Sequence, residues 1–100
     1  MPSLPIMPPH PGETIKEDCI EPLGLSVNQL AKKLGITAAR LNEIVRGRRG
    51  ITADTALRLA RYFGTSPEFW LNLQNLYDLR MAQIKAGHQI EKTVKPRQVV

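Results

Sequence analysis

A group of basic residues stands close together near the middle of the chain, and its chemistry is that of polyanion binding. The group consists of four arginines within ten residues, Arg40, Arg46, Arg48 and Arg49, with Glu43 among them. A guanidinium makes two parallel hydrogen bonds to phosphate oxygens or to O6 and N7 of guanine, whereas a carboxylate accepts one from N4 of cytosine. These residue types in this order predict contact with a nucleic acid.

The positive charge of the chain is concentrated around the same group. The net charge is +5. Residues 26–50 contain six Lys or Arg and one Glu, a net charge of +5, whereas residues 1–25 carry a net charge of −3. A solvated charged face is the alternative explanation, but a surface that binds DNA phosphates requires such a concentration.

The elements that must position these side chains are two short amphipathic helices joined by a turn at Gly35, within residues 30–44. Ala31 stands four residues before the glycine, and Leu41 and Ile44 stand six and nine residues after it. A small residue lets the helices cross closely, and glycine adopts the dihedral angles of the turn. The apolar pair anchors the second helix, so the spacing predicts a helix-turn-helix whose second helix enters a DNA groove.

The exposed residues of this motif divide by the DNA atoms that they are predicted to reach. Thr37 offers its hydroxyl and backbone N–H to a phosphate, helped by the helix dipole. Arg40 is predicted to bind guanine with two hydrogen bonds, and Glu43 either accepts from cytosine or pairs with Arg46. The other predicted contacts are two short side chains that allow close approach, Ala38 and Ala39, and phosphate ligands at the flanks, Ser26, Asn28, Arg46, Arg48 and Arg49.

Capping residues and glycines predict five helices and no strand. The first helix begins at His10-Pro11-Gly12-Glu13 and runs to about Ile20, where Pro22 and Gly24 end it. The next four begin at predicted N-caps, Ser26, Thr37, Thr52 and Ser66. The fifth runs to about Ala86 with Gly87 as its stop. The predicted domain therefore spans residues 10–86, between a flexible N-terminal arm, 1–9, and a disordered basic tail, 87–100.

The fifth helix is apolar on more than one face. One stripe of about 100° would dock it on a small domain, so the excess predicts a second buried face. The preferred interpretation is a homodimer interface formed by Phe69, Trp70, Leu73, Leu76 and Tyr77. A site for a different protein and a fully internal helix are the alternatives.

Other functional classes find little support in the sequence. His10 and His88 have no metal-ligand spacing to each other or to Cys19, and no glycine-rich phosphate loop follows a strand. We therefore predict no enzyme activity, no metal and no cofactor. The single cysteine excludes an internal disulfide, and no apolar run approaches the roughly 20 residues that cross a bilayer. With no visible signal peptide, these features predict a cytoplasmic protein.

Three stretches of the sequence resemble the HigA antitoxins, which belong to the Cro/C1-type (xenobiotic-response-element) helix-turn-helix family. They are His-Pro-Gly-Glu at 10–13, Glu-Pro-Leu-Gly-Leu-Ser at 21–26, and the segment 41–74, whose end reads Gly-Thr-Ser-Pro-Glu-Phe-Trp-Leu-Asn-Leu-Gln. The resemblance covers roughly residues 10–80. It implies an all-α, lambda-repressor-like domain of five helices with a long C-terminal dimerisation helix.

The resemblance also implies two activities, neutralisation of a toxin that cleaves messenger RNA and repression of the chain's own operon. The partners so implied are palindromic double-stranded DNA, a cognate toxin and a second copy of the chain. Two alternatives remain open at this point. One is a stand-alone transcriptional regulator of the same fold without a toxin partner, and the other is a protein-interaction module that does not bind DNA.

Overall fold

Residues 7–98, the part of the chain described by this computed structural model, fold into five helices and contain no strand. The first helix, α1, has three parts, Pro11–Thr14, Ile15–Ile20 and Glu21–Leu23. The others are α2, Val27–Leu34; α3, Ala38–Val45; α4, Ala53–Phe63; and α5, Pro67–Thr93. The prediction of an all-helical domain with a long C-terminal helix is confirmed. Within the described residues, no helix has the length and apolar character needed to span a membrane.

The first helix continues past Pro22, which was wrongly predicted to help end it. The stretch Ile15–Ile20 is π-helical, and the N–H of Glu21 donates to the carbonyl of Lys16, five residues earlier. Proline lacks an N–H, and its ring presses on the carbonyl four residues before it in a regular α-helix. The wider π turn just ahead of Pro22 accommodates this ring. Gly24, with φ of 64°, ends the helix, as predicted.

The start of α1 is held against two other helices. Nδ1 of His10 accepts a hydrogen bond from the N–H of Gly12 at 2.9 Å, so the histidine caps the helix. Its ring meets that of Tyr77 on α5 edge to face, with the ring centroids 4.9 Å apart. A Cβ atom on Gly12 would lie 1.9 Å from the carbonyl oxygen of Ile44, at the end of α3. Glycine is therefore required for this approach of α1 to α3.

The predicted caps of the later helices are confirmed. Ser26 and Gln29 form a reciprocal capping box, with N···O distances of 3.1 Å to the serine hydroxyl and 2.8 Å to the glutamine oxygen. The N-cap side chain also accepts a backbone hydrogen bond in each of the following helices, at Thr37, Thr52 and Ser66.

Trp70 belongs to the core of the single chain, so its assignment to the dimer interface was wrong. Its side chain is only 2% exposed, and its Nε1 donates to Oγ1 of Thr65 at 2.8 Å. Because α5 is apolar on several faces, the sequence did not distinguish the side that covers the domain from the side that remains free. The tryptophan lies on the covering side, in a core whose other large members are Ile15, Leu30, Leu41, Ile44 and Leu59.

The last helix is longer than predicted and passes through Gly87. It ends at Thr93 rather than near Ala86, so residues 87–93 of the predicted disordered tail are helical. Gly87 does not adopt the left-handed conformation that ends α2 and α4 at Gly35 and Gly64. A glycine inside a helix costs about 1 kcal/mol without breaking it. Residues 7–9 of the predicted arm and 94–98 of the predicted tail are not helical, while 1–6 and 99–100 lie outside the described residues.

Candidate nucleic-acid interface

The helix-turn-helix predicted around Gly35 is present. Gly35 ends α2 with φ of 72°, and the backbone N–H of Ile36 donates to the carbonyl of Ala31 at 3.0 Å. Ala31 is buried where α2 and α3 pack together, and Leu41 and Ile44 are fully buried beneath α3. The side chains that the spacing assigned to the interior thus fix how α3 lies on the domain.

The start of α3 presents less free surface than predicted. Oγ1 of Thr37 accepts from the N–H of Arg40 at 3.1 Å, so the hydroxyl caps the helix and keeps its own hydrogen for another acceptor. Ala39 is exposed, as predicted. Ala38 is half-buried and packs against the core, because it follows the cap on the inner side of the first turn.

Arg40 folds back onto the domain instead of pointing outward from α3. Its Nη2 donates to Oδ1 of Asp54 at 2.9 Å and to Oγ1 of Thr55 at 2.5 Å. Its side chain retains 27% exposure. The reason is the approach of the N-terminal turn of α4, which brings a carboxylate and a hydroxyl within reach of the guanidinium.

Asp54 connects Arg40 on α3 to the turn at Gly35 through a second arginine, Arg58. Nε of Arg58 donates to Oδ1 of Asp54 at 2.7 Å, and Nη1 of Arg58 donates to the carbonyls of Leu34 and Gly35 at 2.9 and 3.2 Å. Hydrogen bonds from Arg58 and Arg40 lower the pKa of Asp54 below its usual value, so the carboxylate stays charged. This network was not predicted from the sequence, although the i,i+4 spacing of Asp54 and Arg58 is typical of a helix ion pair.

The basic loop after α3, residues 46–50, is ordered by the backbone of that helix. Gly47 adopts φ of 75°, and the N–H groups of Arg48 and Arg49 donate to the carbonyl of Glu43 at 2.9 and 3.2 Å. The Glu43 carboxylate lies 3.8 Å from Nη1 of Arg48, so its partner here is Arg48 and not the predicted Arg46. The side chains of the loop are exposed at Arg46, Arg48 and Arg49.

The remaining predicted contacts lie at the start of α2 and along α5. Ser26 and Asn28 are exposed, and the serine oxygen is also the cap of its helix.

Along α5, Phe69 and Leu76 are 44% and 43% exposed. Leu73 is half-buried against the core, and Tyr77 is half-buried beside His10. The predicted interface residues therefore do not share a single exposed face. Exposed apolar side chains continue beyond them, at Leu79, Ile84 and Ile90.

Gln74, on the side of α5 that covers the domain, was also not predicted from the sequence. It is 8% exposed, and its Oε1 accepts from the N–H of Ile51 at 2.8 Å. The residue lines a cleft of about 590 Å³ together with Arg40 and Arg49. A polar residue amid an apolar helix carried no local signal, because its partner lies 23 residues away.

Known proteins match this chain over more than half of its length. Residues 15–70 match the helix-turn-helix family. Virulence-associated protein I of Dichelobacter nodosus is 58% identical over 74 residues, which make up 74% of this chain and 68% of that protein.

Two solved structures extend the likeness to almost the whole chain. An addiction module antidote protein of the HigA family from Coxiella burnetii has a TM-score of 0.87 and 54% sequence identity, over 92% of this chain and 100% of that one. The Pseudomonas aeruginosa antitoxin HigA, solved with the higBA promoter, has a TM-score of 0.87 and 44% identity, over 91% and 99%. The chain is therefore a member of the HigA antitoxins, within the helix-turn-helix family of regulatory proteins rather than enzymes.

Proposed function

We propose that this chain is the antitoxin of a type II toxin–antitoxin module, which neutralises an mRNA-cleaving toxin and represses its own operon. The observation that carries the proposal is the likeness, over 91% of the chain, to a HigA antitoxin solved with promoter DNA. The exposed arginines beside α3 give the chain the charge that phosphate binding requires. The proposal places the chain in the cytoplasm, where its operon is transcribed.

The proposed DNA contacts fall into two groups. The first supplies affinity through the phosphates and consists of Ser26, Asn28, Thr37, Arg46, Arg48 and Arg49, all of which are exposed. The second is proposed to read the bases from α3 and consists of Ala38, Ala39, Arg40 and Glu43, of which Arg40 must first leave Asp54. Since the alanines offer only methyl groups, the charged pair carries most of the hydrogen-bonding readout.

A second copy of the chain is the proposed partner for the free face of α5. Phe69, Leu76 and Leu79 are exposed apolar residues on a helix whose final turns, toward Thr93, are mostly exposed. Burial of such a face in a homodimer removes apolar surface from water. A two-fold symmetric dimer then recognises a near-palindrome with half-sites about 34 Å apart or a multiple of that distance.

The DNA-binding half of the proposal is tested by an electrophoretic mobility shift with the promoter upstream of the gene. The wild-type chain is expected to shift this fragment at lower concentration than a random-sequence duplex of equal length. Absence of any shift at low salt contradicts DNA binding and favours a protein-interaction module.

The antitoxin half is tested by co-expression with the neighbouring reading frame, followed by a pull-down. The expected result is a stable complex with a small protein that arrests growth when it is expressed alone. If the neighbouring product is neither toxic nor retained, while the promoter shift persists, the chain is a stand-alone regulator.

The dimer is tested by analytical ultracentrifugation at micromolar concentration. Leu76→Glu places a charge on the exposed apolar face and is expected to shift the equilibrium toward monomer. Asn75→Glu introduces the same charge at the next exposed position of the same helix and is the control. A wild-type chain that sediments only as a monomer contradicts this part of the proposal.

A further inference from the structure

The buried glutamine on α5 has an unusual position for its chemistry. Gln74 is one of three polar or charged residues that are buried among residues 7–98, and the other two are His10 and Thr55. An amide buried without hydrogen bonds costs several kcal/mol, so its bonds determine its orientation. Both ends of this amide are paired: Oε1 accepts from the N–H of Ile51 at 2.8 Å, and Nε2 donates to Oδ1 of Asp78 at 2.9 Å.

The backbone that Gln74 holds is the end of the basic loop. A Cβ atom added to Gly50 would lie 3.0 Å from Cδ of Gln74 and 3.1 Å from its Nε2, so the backbone there packs closely on the amide. Glycine thus permits the contact that precedes the Ile51 hydrogen bond. The amide acts as a clamp on the loop from the side of α5.

The other end of the loop is fixed by α3. The N–H of Gly47 donates to the carbonyl of Ile44 at 3.0 Å, and those of Arg48 and Arg49 donate to the carbonyl of Glu43. The two arginines therefore lie between backbone bonds on the α3 side and the Gln74 clamp on the α5 side. Removing either attachment leaves their backbone with one fixed end.

We infer that Gln74 is a positioning residue, which connects the C-terminal helix to the basic loop and holds Arg48 and Arg49 at the DNA backbone. The inference rests on the proposed DNA binding and names a residue that does not itself touch DNA. It follows that the orientation of α5 is transmitted to the phosphate contacts through one buried amide. Because the loop is already ordered in the free protein, DNA binding does not include the entropic cost of ordering it.

Two substitutions disturb the clamp from opposite sides. Gln74→Leu removes both hydrogen bonds, whereas Gly50→Ala leaves the amide group in the chain and pushes a methyl group against it. Binding is measured with a random-sequence DNA duplex over a range of salt concentrations, because phosphate contacts are independent of sequence. We expect each variant to bind about tenfold more weakly at low salt, with a salt slope flatter by about one unit.

A double-mutant cycle separates positioning from a general structural effect. In a background that carries Arg48→Ala and Arg49→Ala, neither substitution should weaken DNA binding further, because the residues that it positions are gone. An equal loss of affinity in that background overturns the inference. Retention of wild-type affinity and slope by both variants also overturns it.

A charge-neutral swap tests the hydrogen bonds directly. Gln74→Glu combined with Asp78→Asn keeps the acceptor for Ile51, reverses the direction of the bond between the two side chains, and preserves net charge. The doubly substituted chain should bind the random-sequence duplex with wild-type affinity, and weaker binding overturns the assignment. Gln83→Leu, at an exposed glutamine of the same helix, is the control and should bind normally.

Different results contradict this inference and the proposed function. A wild-type chain that binds no DNA contradicts both. Normal wild-type binding with unaffected clamp variants contradicts only the role of Gln74. Circular dichroism confirms that each variant is helical, and Gly50→Ala and the swapped pair decide the outcome if Gln74→Leu does not fold.

Discussion

Nη2 of Arg40 donates to Oδ1 of Asp54, 2.9 Å away, and also to Oγ1 of Thr55. The nitrogen carries two hydrogens, and both are therefore used. A guanidinium offers two forks, Nε with Nη2 and Nη1 with Nη2, so each of them includes this atom. A two-armed contact between Arg40 and guanine consequently requires that at least one of these internal bonds be released, and Asp54 opposes that release.

Asp54→Asn should make DNA binding tighter and less selective. The carboxylate is replaced by a neutral amide, so Arg40 becomes available to phosphates. Affinity for a random-sequence duplex should rise, and its salt slope should steepen by about one unit. The ratio of promoter to random-duplex affinity should fall, because the released guanidinium gains phosphate contacts on any duplex, whereas on the promoter it already contacts a base. Titrations with both duplexes measure this ratio.

The charge change itself is controlled by Glu68→Gln, which removes an exposed carboxylate from the first turn of α5. If this variant reproduces the behaviour of Asp54→Asn, the effect is one of net charge, and the pairing with Arg40 does not restrain DNA binding.

Arg40→Ala and Arg48→Ala should separate base contacts from phosphate contacts. The first should cost about 1–3 kcal/mol on the promoter with little change on random DNA, as expected for loss of a contact with a base. The second should weaken binding to both duplexes equally and flatten the salt slope by about one unit. Loss of the 3.8 Å ion pair between Arg48 and Glu43 should matter little, because both side chains are substantially exposed.

Titrations of both variants with the promoter and with a random-sequence duplex measure these affinities. If both variants lose the same affinity for promoter and random DNA, then Arg40 is one more phosphate ligand. In that case the sequence preference must originate elsewhere on α3.

Local signals in the sequence predicted the framework of the site because their physical causes are local. The caps at Ser26 and Thr37 satisfy N–H groups within three residues, and Gly35 takes a left-handed conformation that is independent of distant packing. The spacing of Ala31 and Leu41 likewise follows from the geometry of two adjacent helices.

The features that the sequence did not predict depend on contacts between distant residues. The orientation of Arg40 is set by Asp54, 14 residues later and on another helix. Gln74 is recognisable as a clamp only once Ile51 is placed beside it. Which apolar side of α5 covers the domain, the side of Trp70 or the opposite one, depends in the same way on packing against α4. This packing has no signature in the sequence of a single helix.

Gly12→Ala should destabilise the fold strongly. The added Cβ would lie 1.9 Å from the carbonyl oxygen of Ile44, so α1 would have to move away from the end of α3. Backbone displacement in a packed interior costs about 3 kcal/mol. Urea unfolding followed by circular dichroism, at one fixed protein concentration, measures the free energy of unfolding.

Gly87→Ala is the matched control, since nothing lies within 4 Å of an added Cβ at that position. This substitution lies inside α5 and should stabilise the chain by about 0.5–1 kcal/mol through helix propensity. Equal effects of the two alanines would contradict the close approach of α1 to α3.

The cap formed by His10 should make stability fall as the pH drops below the ordinary pKa of histidine, about 6.5. Burial lowers the pKa of His10, against the opposing influence of the Asp78 and Glu13 carboxylates. Protonation would also place a hydrogen on Nδ1, the atom that accepts from the N–H of Gly12. Because the folded state favours the neutral ring, the unfolded chain takes up the proton first as the pH falls. Stability should therefore be complete above about pH 6.5 and decline below it.

Urea midpoints at several pH values between about 5 and 7 measure this dependence. His10→Asn keeps a side-chain acceptor at the N-cap without a titrating ring, so its midpoint should vary much less with pH over this range. His88→Asn, at an exposed histidine of α5, should retain the wild-type dependence. If instead the His10 variant retains it and the His88 variant loses it, the proton is taken up outside the cap of α1. Tyr77, whose ring packs on His10, contributes apolar contact to the cap of α1.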